Sequence, residues 1–150
     1  THSKKNREYD FYDAIKIRHY GQTDIEFPSY YLEDIDEFEL SSSNINDLDG
    51  VQFCIHAKTM DLSNNRIGDL SPLNGLVGLE ELNLADNLIG DIDALGYLTN
   101  LKSVNLSNNR IEDISPLLEL EKLEYVDLTG NPNLSAQIRS LTDLDITVDY

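Results

Sequence analysis

The amino-acid sequence predicts an α/β fold: a right-handed solenoid with a parallel β-sheet on its concave face and a helical cap at its N-terminal end. Three observations predict it. Apolar residues return every 22 residues in five columns, each copy holds one short alternating segment of strand length, and an amphipathic stretch ending in glycine precedes the first copy. A fixed period of this kind is the signature of a repeat architecture, in which each unit buries its apolar face only against its neighbours.

The cap comes first. Phe11, Ile15 and Arg18 stand at i, i+4 and i+7, with Tyr12 and His19 alongside and Gly21 beyond them. This spacing predicts an amphipathic helix of about three turns near residues 8–19, stopped where glycine accepts the left-handed closing conformation. "TDIEF" and "PSYYLEDI" then lead to the first copy. We expect residues 1–34 to form the cap, 35–133 the repeats, and 134–150 a repeat remnant with a last strand.

The columns define the repeats. Leu40, Leu62, Leu84, Leu106 and Leu128 form one, and Phe38, Met60, Leu82, Val104 and Val126 another. Ile45, Ile67, Ile89 and Ile111 form a third; Leu48, Leu70, Ile92 and Ile114 a fourth; Val51, Leu73, Leu95 and Leu117 a fifth. In "EELNLA" the alternation sends Leu82 and Leu84 inward and Glu81, Asn83 and Ala85 outward, as a strand of period 2 requires. Parallel strands joined by short return limbs cross over right-handedly and stack. About six strands are expected.

Asn65, Asn87, Asn109 and Asn131 recur where the chain must turn away from each strand. A stacked carboxamide there satisfies backbone groups of its own turn and of the next coil, so the column is read as structural rather than as a ligand site. In the return limbs "GDLSPL" and "EDISPL", Ser71 and Ser115 are expected to cap a short helical turn, with Pro72 and Pro116 at its first position. Asp47, Asp69, Asp91 and Asp113 form a carboxylate column just before those turns. Stacked carboxylates repel unless backbone donors cap them or a cation bridges them, and capping is the reading preferred over a calcium ladder.

The ends depart from the pattern. "FELSSSNIND" places Ser43 at the Asn position, as befits a terminal copy. "DLTGNPNLSAQIRSLTDLDITVDY" keeps the strand and turn but puts Asn133 where Ile111 stood, and Val148 lies 22 residues beyond Val126, which predicts a last strand in "DITVDY". That strand either abuts a further domain, is covered by a partner, or is blunted as an edge by Asp145 and Asp149.

With LxxLxLxxNxIxx[IL]xxLxxL on the page, the copies resemble leucine-rich repeats of the short, 22-residue type, similar to those of bacterial internalins and of the regulatory phosphatase-1-binding subunit. The match runs from about Ile35 to Asn131. The order of helix, "TDIEF", "PSYYLEDI" and "GVQFCIHAKTMDLSNN" resembles the opening of many bacterial extracellular leucine-rich-repeat regions. This resemblance implies that the helix covers the first coil, and it implies a cell-surface or secreted setting, with a cytoplasmic one as the alternative.

Charge narrows the function. Lys and Arg number 11 against 28 Asp and Glu, a formal charge of −17, which repels phosphate backbones and anionic membranes, so no nucleic-acid partner is expected. No apolar run reaches the roughly 18 residues of a membrane span, and no signal core is present, so an exported chain has already lost its signal. The thiol Cys54 shares a column with Leu76 and Leu98 and reads as core. His2, His19 and His56 have no second Cys or His at metal-ligand spacing. "NLS" at Asn105 and Asn133 matches the glycosylation pattern only because the repeat is built of Asn, Leu and Ser. Neither an enzyme, a metal nor a cofactor is expected.

Binding remains. The outward strand register exposes Glu37, Glu39, Asp61, Glu81, Asn83, Asn105, Tyr125 and Asp127, and these are the candidate protein-binding residues. Tyr125 is the large aromatic among them, a residue type enriched at binding hot spots, and no Lys or Arg is expected on that face. From Gly21 to Ala57 there are nine acidic residues and no Lys or Arg, while the first eighteen residues hold five of the bases. The expected function is a monomeric protein-interaction module whose partner has a basic or mixed polar surface. The alternatives are a passive spacer or cap domain of a larger protein, or an intracellular adaptor or regulatory subunit.

Overall fold

A computed structural model describes residues 8–150 of the chain. His2, Lys4, Lys5 and Arg7, which carry much of the expected basic excess at the N-terminus, lie outside the described residues. In chain order the elements are β1 (Tyr9–Asp10), α1 (Phe11–Tyr20), β2 (Glu37–Glu39), β3 (Ile45–Asp47), β4 (Thr59–Asp61), β5 (Glu81–Asn83), β6 (Ser103–Asn105), β7 (Tyr125–Asp127), α2 (Ser135–Thr142) and β8 (Thr147–Asp149), with short 3-10 turns on the return limbs. Strands β2, β4, β5, β6, β7 and β8 form one six-stranded parallel sheet in that order. The pairing is in register at every step, Phe38 with Met60, Met60 with Leu82, Leu82 with Val104, Val104 with Val126 and Val126 with Val148. The right-handed solenoid is thus the observed fold. Among the described residues no helix is long and apolar enough to cross a membrane.

All five apolar columns are buried, together with the Leu76, Leu79, Leu98 and Leu101 positions of the return limbs. Each such leucine contributes about 1.5–3 kcal/mol relative to exposure, and the columns make one continuous core. Ala85, expected on the outer face, and Ser107, its equivalent one copy on, are also buried. They follow the strand, where the chain has already begun to turn inward, so strict alternation no longer applies.

The turn depends on two adjacent columns. Ser42, Asn64, Asp86, Asn108 and Gly130 all have positive φ, between 52° and 80°. Asn, Asp and Gly tolerate this left-handed region better than other residues. A Cβ at Gly130 would also collide with the Asn108 carboxamide. The next residue is Asn65, Asn87, Asn109 or Asn131 in all but the first copy, and the first three of these are buried. The Asn87 Nδ2 donates to the carbonyls of Leu62, Leu84 and Ala85 at 3.0–3.1 Å, and its Oδ1 accepts from the Ile67 N–H at 3.0 Å. Asn109 repeats this with Leu84, Leu106, Ser107 and Ile89. The coil served is therefore the preceding one, not the next one as expected.

Capping on the return limbs is done by aspartate. Asp69 and Asp113 each accept the N–H two residues on, from Ser71 and Ser115, at 2.9 Å; Asp47 and Asp91 do the same for Asp49 and Asp93. Ser71 and Ser115 are the first residues of their 3-10 turns, with Leu70 and Ile114 at the cap position and no side-chain cap bond, and Pro72 and Pro116 stand second. The expectation of serine caps with proline first is thereby corrected: the amides that a Ser71 or Ser115 side chain would cap already donate to backbone carbonyls, Leu73 to Leu70, Asn74 to Ser71 and Leu117 to Ile114, and the aspartate two residues earlier holds the serine's own N–H. The preferred capping of the Asp column is observed.

At the N-terminal end Asp10 caps α1 by accepting from the Asp13 N–H at 2.7 Å, and Gly21, at φ 74°, closes it. Phe11, Ala14 and Ile15 are buried, and the Phe11 ring lies 5.9 Å from that of Phe38. The short parallel pair β1–β3 ties the cap to the first turn. At the other end the return limb is a true helix, α2, which buries Leu134, Ile138 and Leu141. Residues 134–150 hold this helix and then the last strand, β8: the 22-residue spacing ends, and the spacing 134, 138, 141 is helical.

Two stability predictions follow from the buried turns and the cap. Asn87→Ala orphans backbone groups of two coils and is expected to cost about 1–3 kcal/mol, read as a lower urea midpoint; an unchanged midpoint refutes the structural role. Phe11→Ala removes the cap's main wedge and is expected to cost about 3 kcal/mol or more, measured in the same way.

Candidate functional site

The outer face of the six-stranded sheet carries the expected residues, and the strand register aligns them in two rows. One row is Glu37, Thr59, Glu81, Ser103, Tyr125 and Thr147; the other is Glu39, Asp61, Asn83, Asn105, Asp127 and Asp149. An open groove of about 550 Å³ runs across the first five of these strands and brings together Glu37, Glu39, Asp61, Glu81, Asn83, Asn105 and Tyr125, with Thr59 and Ser103 between them. Asp127 does not line it.

The two rows differ in what their side chains already do. In the second row Asp61 accepts from the N–H and hydroxyl of Ser63, at 2.9 and 2.7 Å. Asn83 accepts from the Ala85 N–H, Asn105 from the N–H and hydroxyl of Ser107, and Asp127 from the Thr129 N–H, at 2.7–3.0 Å. Glu39 holds the Ser41 hydroxyl and N–H in the same manner. Up to Asp127 this row closes the exit from each strand. The first row makes no such bonds, and Glu37 and Glu81 are exposed.

Two contacts change the electrostatics. The Arg18 guanidinium, from α1, reaches Glu39 at 2.9 Å, the Ser41 carbonyl at 2.8 Å and the Ser43 hydroxyl at 2.7 Å. The expectation that no Lys or Arg occupies this face is therefore corrected: the helix register points Arg18 over the sheet edge. The Ser41 hydroxyl, then its N–H, then Arg18 hold the Glu39 carboxyl below the usual range. At the opposite end the Tyr125 hydroxyl donates to Asp149 Oδ2 at 2.5 Å. This bond leads, with smaller contributions from burial and the charges of Asp127 and Asp149, in pushing the phenol from the ordinary 10.0 to about 12.

Sequence reading missed Arg18 and Asp149 as parts of this face. Asp149 was within reach of the period, being 22 residues beyond Asp127; Arg18 lies outside any repeat and leaves no such signal. Cys54 is buried, which pushes its thiol up to about 12 and keeps it from the thiolate form a nucleophile needs. His56 is exposed and its Nδ1 lies 2.6 Å from the Glu33 carbonyl.

A leucine-rich-repeat profile of two copies matches residues 58–97 and 99–146. Among solved structures the chain is similar to an internalin (InlF) of Listeria monocytogenes, at 29% identity and TM-score 0.80 over 91% of this chain and 40% of that one. It is also similar to the internalin C2 of the same organism, at 26% identity and TM-score 0.68 over 83% and 57%. A leucine-rich-repeat protein of Leptospira interrogans shares the fold, at 24% identity and TM-score 0.74 over 84% and 34%. The chain thus spans between about a third and three fifths of these proteins. No curated protein matches it significantly by sequence.

The Tyr125–Asp149 bond sets a pH-dependent prediction. Its phenol value is raised on folding, so the stability it contributes is complete below the ordinary 10.0 and is lost as pH rises toward about 12. In an ultraviolet titration, with Tyr125→Phe as the difference that isolates its signal, Tyr125 is expected to ionise above the ordinary 10.0, and Asp149→Ala to bring it back toward that value. A Tyr125 signal centred at the ordinary value in the wild type contradicts the bond.

Proposed function

Because the chain belongs to the leucine-rich repeat family, we propose that it is a protein-recognition module that holds a protein of basic or mixed polar surface against its concave strand face. The observation that carries the proposal is the groove across five adjacent strands, where Glu37 and Glu81 form no ion pair among the described residues and Tyr125 makes the aromatic wall. Glu39 is already paired with Arg18, and Asp61, Asn83, Asn105 and Asp127 hold backbone amides. The second row shapes the groove and the first row makes the contacts.

The half-buried Tyr125 ring is the anchor. Its hydroxyl is already bonded to Asp149, so the ring meets a partner in a fixed rotamer and loses little entropy on binding. Glu37 and Glu81 act mainly on association rate, through screened charge. The module works as a single copy within a bacterial surface or secreted protein, a setting supported by the likeness to the Listeria internalins over most of the chain.

The test begins with capture of a partner on immobilised chain from the native setting and continues with variants. Tyr125→Ala is expected to weaken binding by about 1 kcal/mol or more through faster release. Glu37→Lys with Glu81→Lys is expected to slow association, most strongly at low salt. These two sites are chosen because neither carboxylate closes a turn. If both variants bind as wild type does while Glu112→Lys or Glu119→Lys, exposed on the return limbs and closing no turn, abolishes binding, the partner sits on the return limbs and the concave reading is wrong.

A further inference from the structure

We propose a second docking site, on the flank of the cap, that takes an arginine- or lysine-bearing segment of a basic protein. A cleft of about 480 Å³ opens between α1, the Ile25–Pro28 segment and the Asp49–Phe53 turn. That volume lies within the roughly 300–1,000 Å³ of ligand pockets. It shares no lining residue with the strand groove.

Its walls are aromatic. Tyr12, Phe27 and Phe53 line it, and Phe27 packs at 5.5–6.0 Å between ring centroids against Tyr12, Tyr20 and Tyr31. These contacts hold the walls in place, although Tyr20, Tyr31 and Phe53 are exposed at 49%, 50% and 38%. Such a run of exposed rings on one flank is the mark of an interaction surface.

Its rim is acidic. Asp10, Asp13, Glu26 and Asp49 line the cleft against one ammonium, that of Lys16, and none of the four carboxylates forms an ion pair among the described residues. Lys16 shows what the surface accepts: its Nζ lies 5.0 Å over the Tyr12 ring and donates to the Thr23 carbonyl at 3.4 Å. Cations over aromatic faces are favoured, and the faces of Phe27 and Phe53 carry no cation of the chain's own among the described residues. An arginine or lysine matches both features at once, its aliphatic stem against the rings and its charge among the carboxylates. A phosphate or an anionic membrane is repelled by the same rim.

The probe is a capped peptide, Gly-Arg-Gly-Leu-Arg-Gly, titrated into the labelled chain and followed by amide NMR shifts, with a citrulline-for-arginine peptide as control. Saturable shifts are expected at residues 25–27 and 49–53, with little response to the citrulline peptide. Glu26→Gln with Asp49→Asn, which removes two rim charges without touching the rings, is expected to weaken binding about fivefold, and Tyr125→Ala to leave it unchanged. Shifts on the strand groove instead, equal binding of the citrulline peptide, or the same residues broadening with protein concentration alone would each overturn the proposal, the last by making a second copy the occupant. Because the two sites share no residue, loss of one leaves the other readable.

Discussion

Every turn of this solenoid must bury a reversal of the backbone without stranding its amides and carbonyls. Unpaired polar groups in such a place cost about 1–3 kcal/mol each, and the copies repeat the problem at every coil. The buried asparagine is the solution. One carboxamide presents an acceptor and two donors, and at Asn65, Asn87 and Asn109 both ends are used, between the residue's own turn and the preceding coil. The apolar columns stack only because this polar seam runs through them. A leucine of similar volume would fill the space and leave the seam open.

The same device recurs on the surface in a weaker form. Side-chain oxygens of Asp69 and Asp113 close the return limbs, and Asp61, Asn83, Asn105 and Asp127 close the strand exits, each by accepting an N–H two residues on. The Ser71 and Ser115 amides hold the Asp69 and Asp113 carboxyls below their usual range. Part of the acidity of these limbs is thus turn chemistry. The two proposed contact surfaces draw on other groups: Glu37, Glu81 and the Tyr125 ring on the strand face, and the aromatic and acidic cleft of the cap.

The cap does two jobs with one helix. Phe11, Ala14 and Ile15 cover the first coil, while Arg18, about two turns after Phe11, holds the strand exit that Ser43 occupies in place of asparagine. Ser43 keeps part of the seam by donating its N–H to Asn65, and the guanidinium gathers the Ser41 carbonyl and Glu39. The irregular first copy and the helix therefore compensate for one another.

The period alone determined the strands, their parallel register, the five buried columns and the asparagine seam, because each coil rests on an equivalent coil and so must repeat the residue that faces it. It also placed Glu37, Glu81 and Tyr125 on one face, since strand alternation is local. Where the equivalence stops, the sequence alone was insufficient. Arg18 over Glu39, the choice of aspartate over serine as cap, and Tyr125 bonded to Asp149 are choices among several donors and acceptors of similar strength. Only the distances set by packing the cap and the last strand against the stack decide between them.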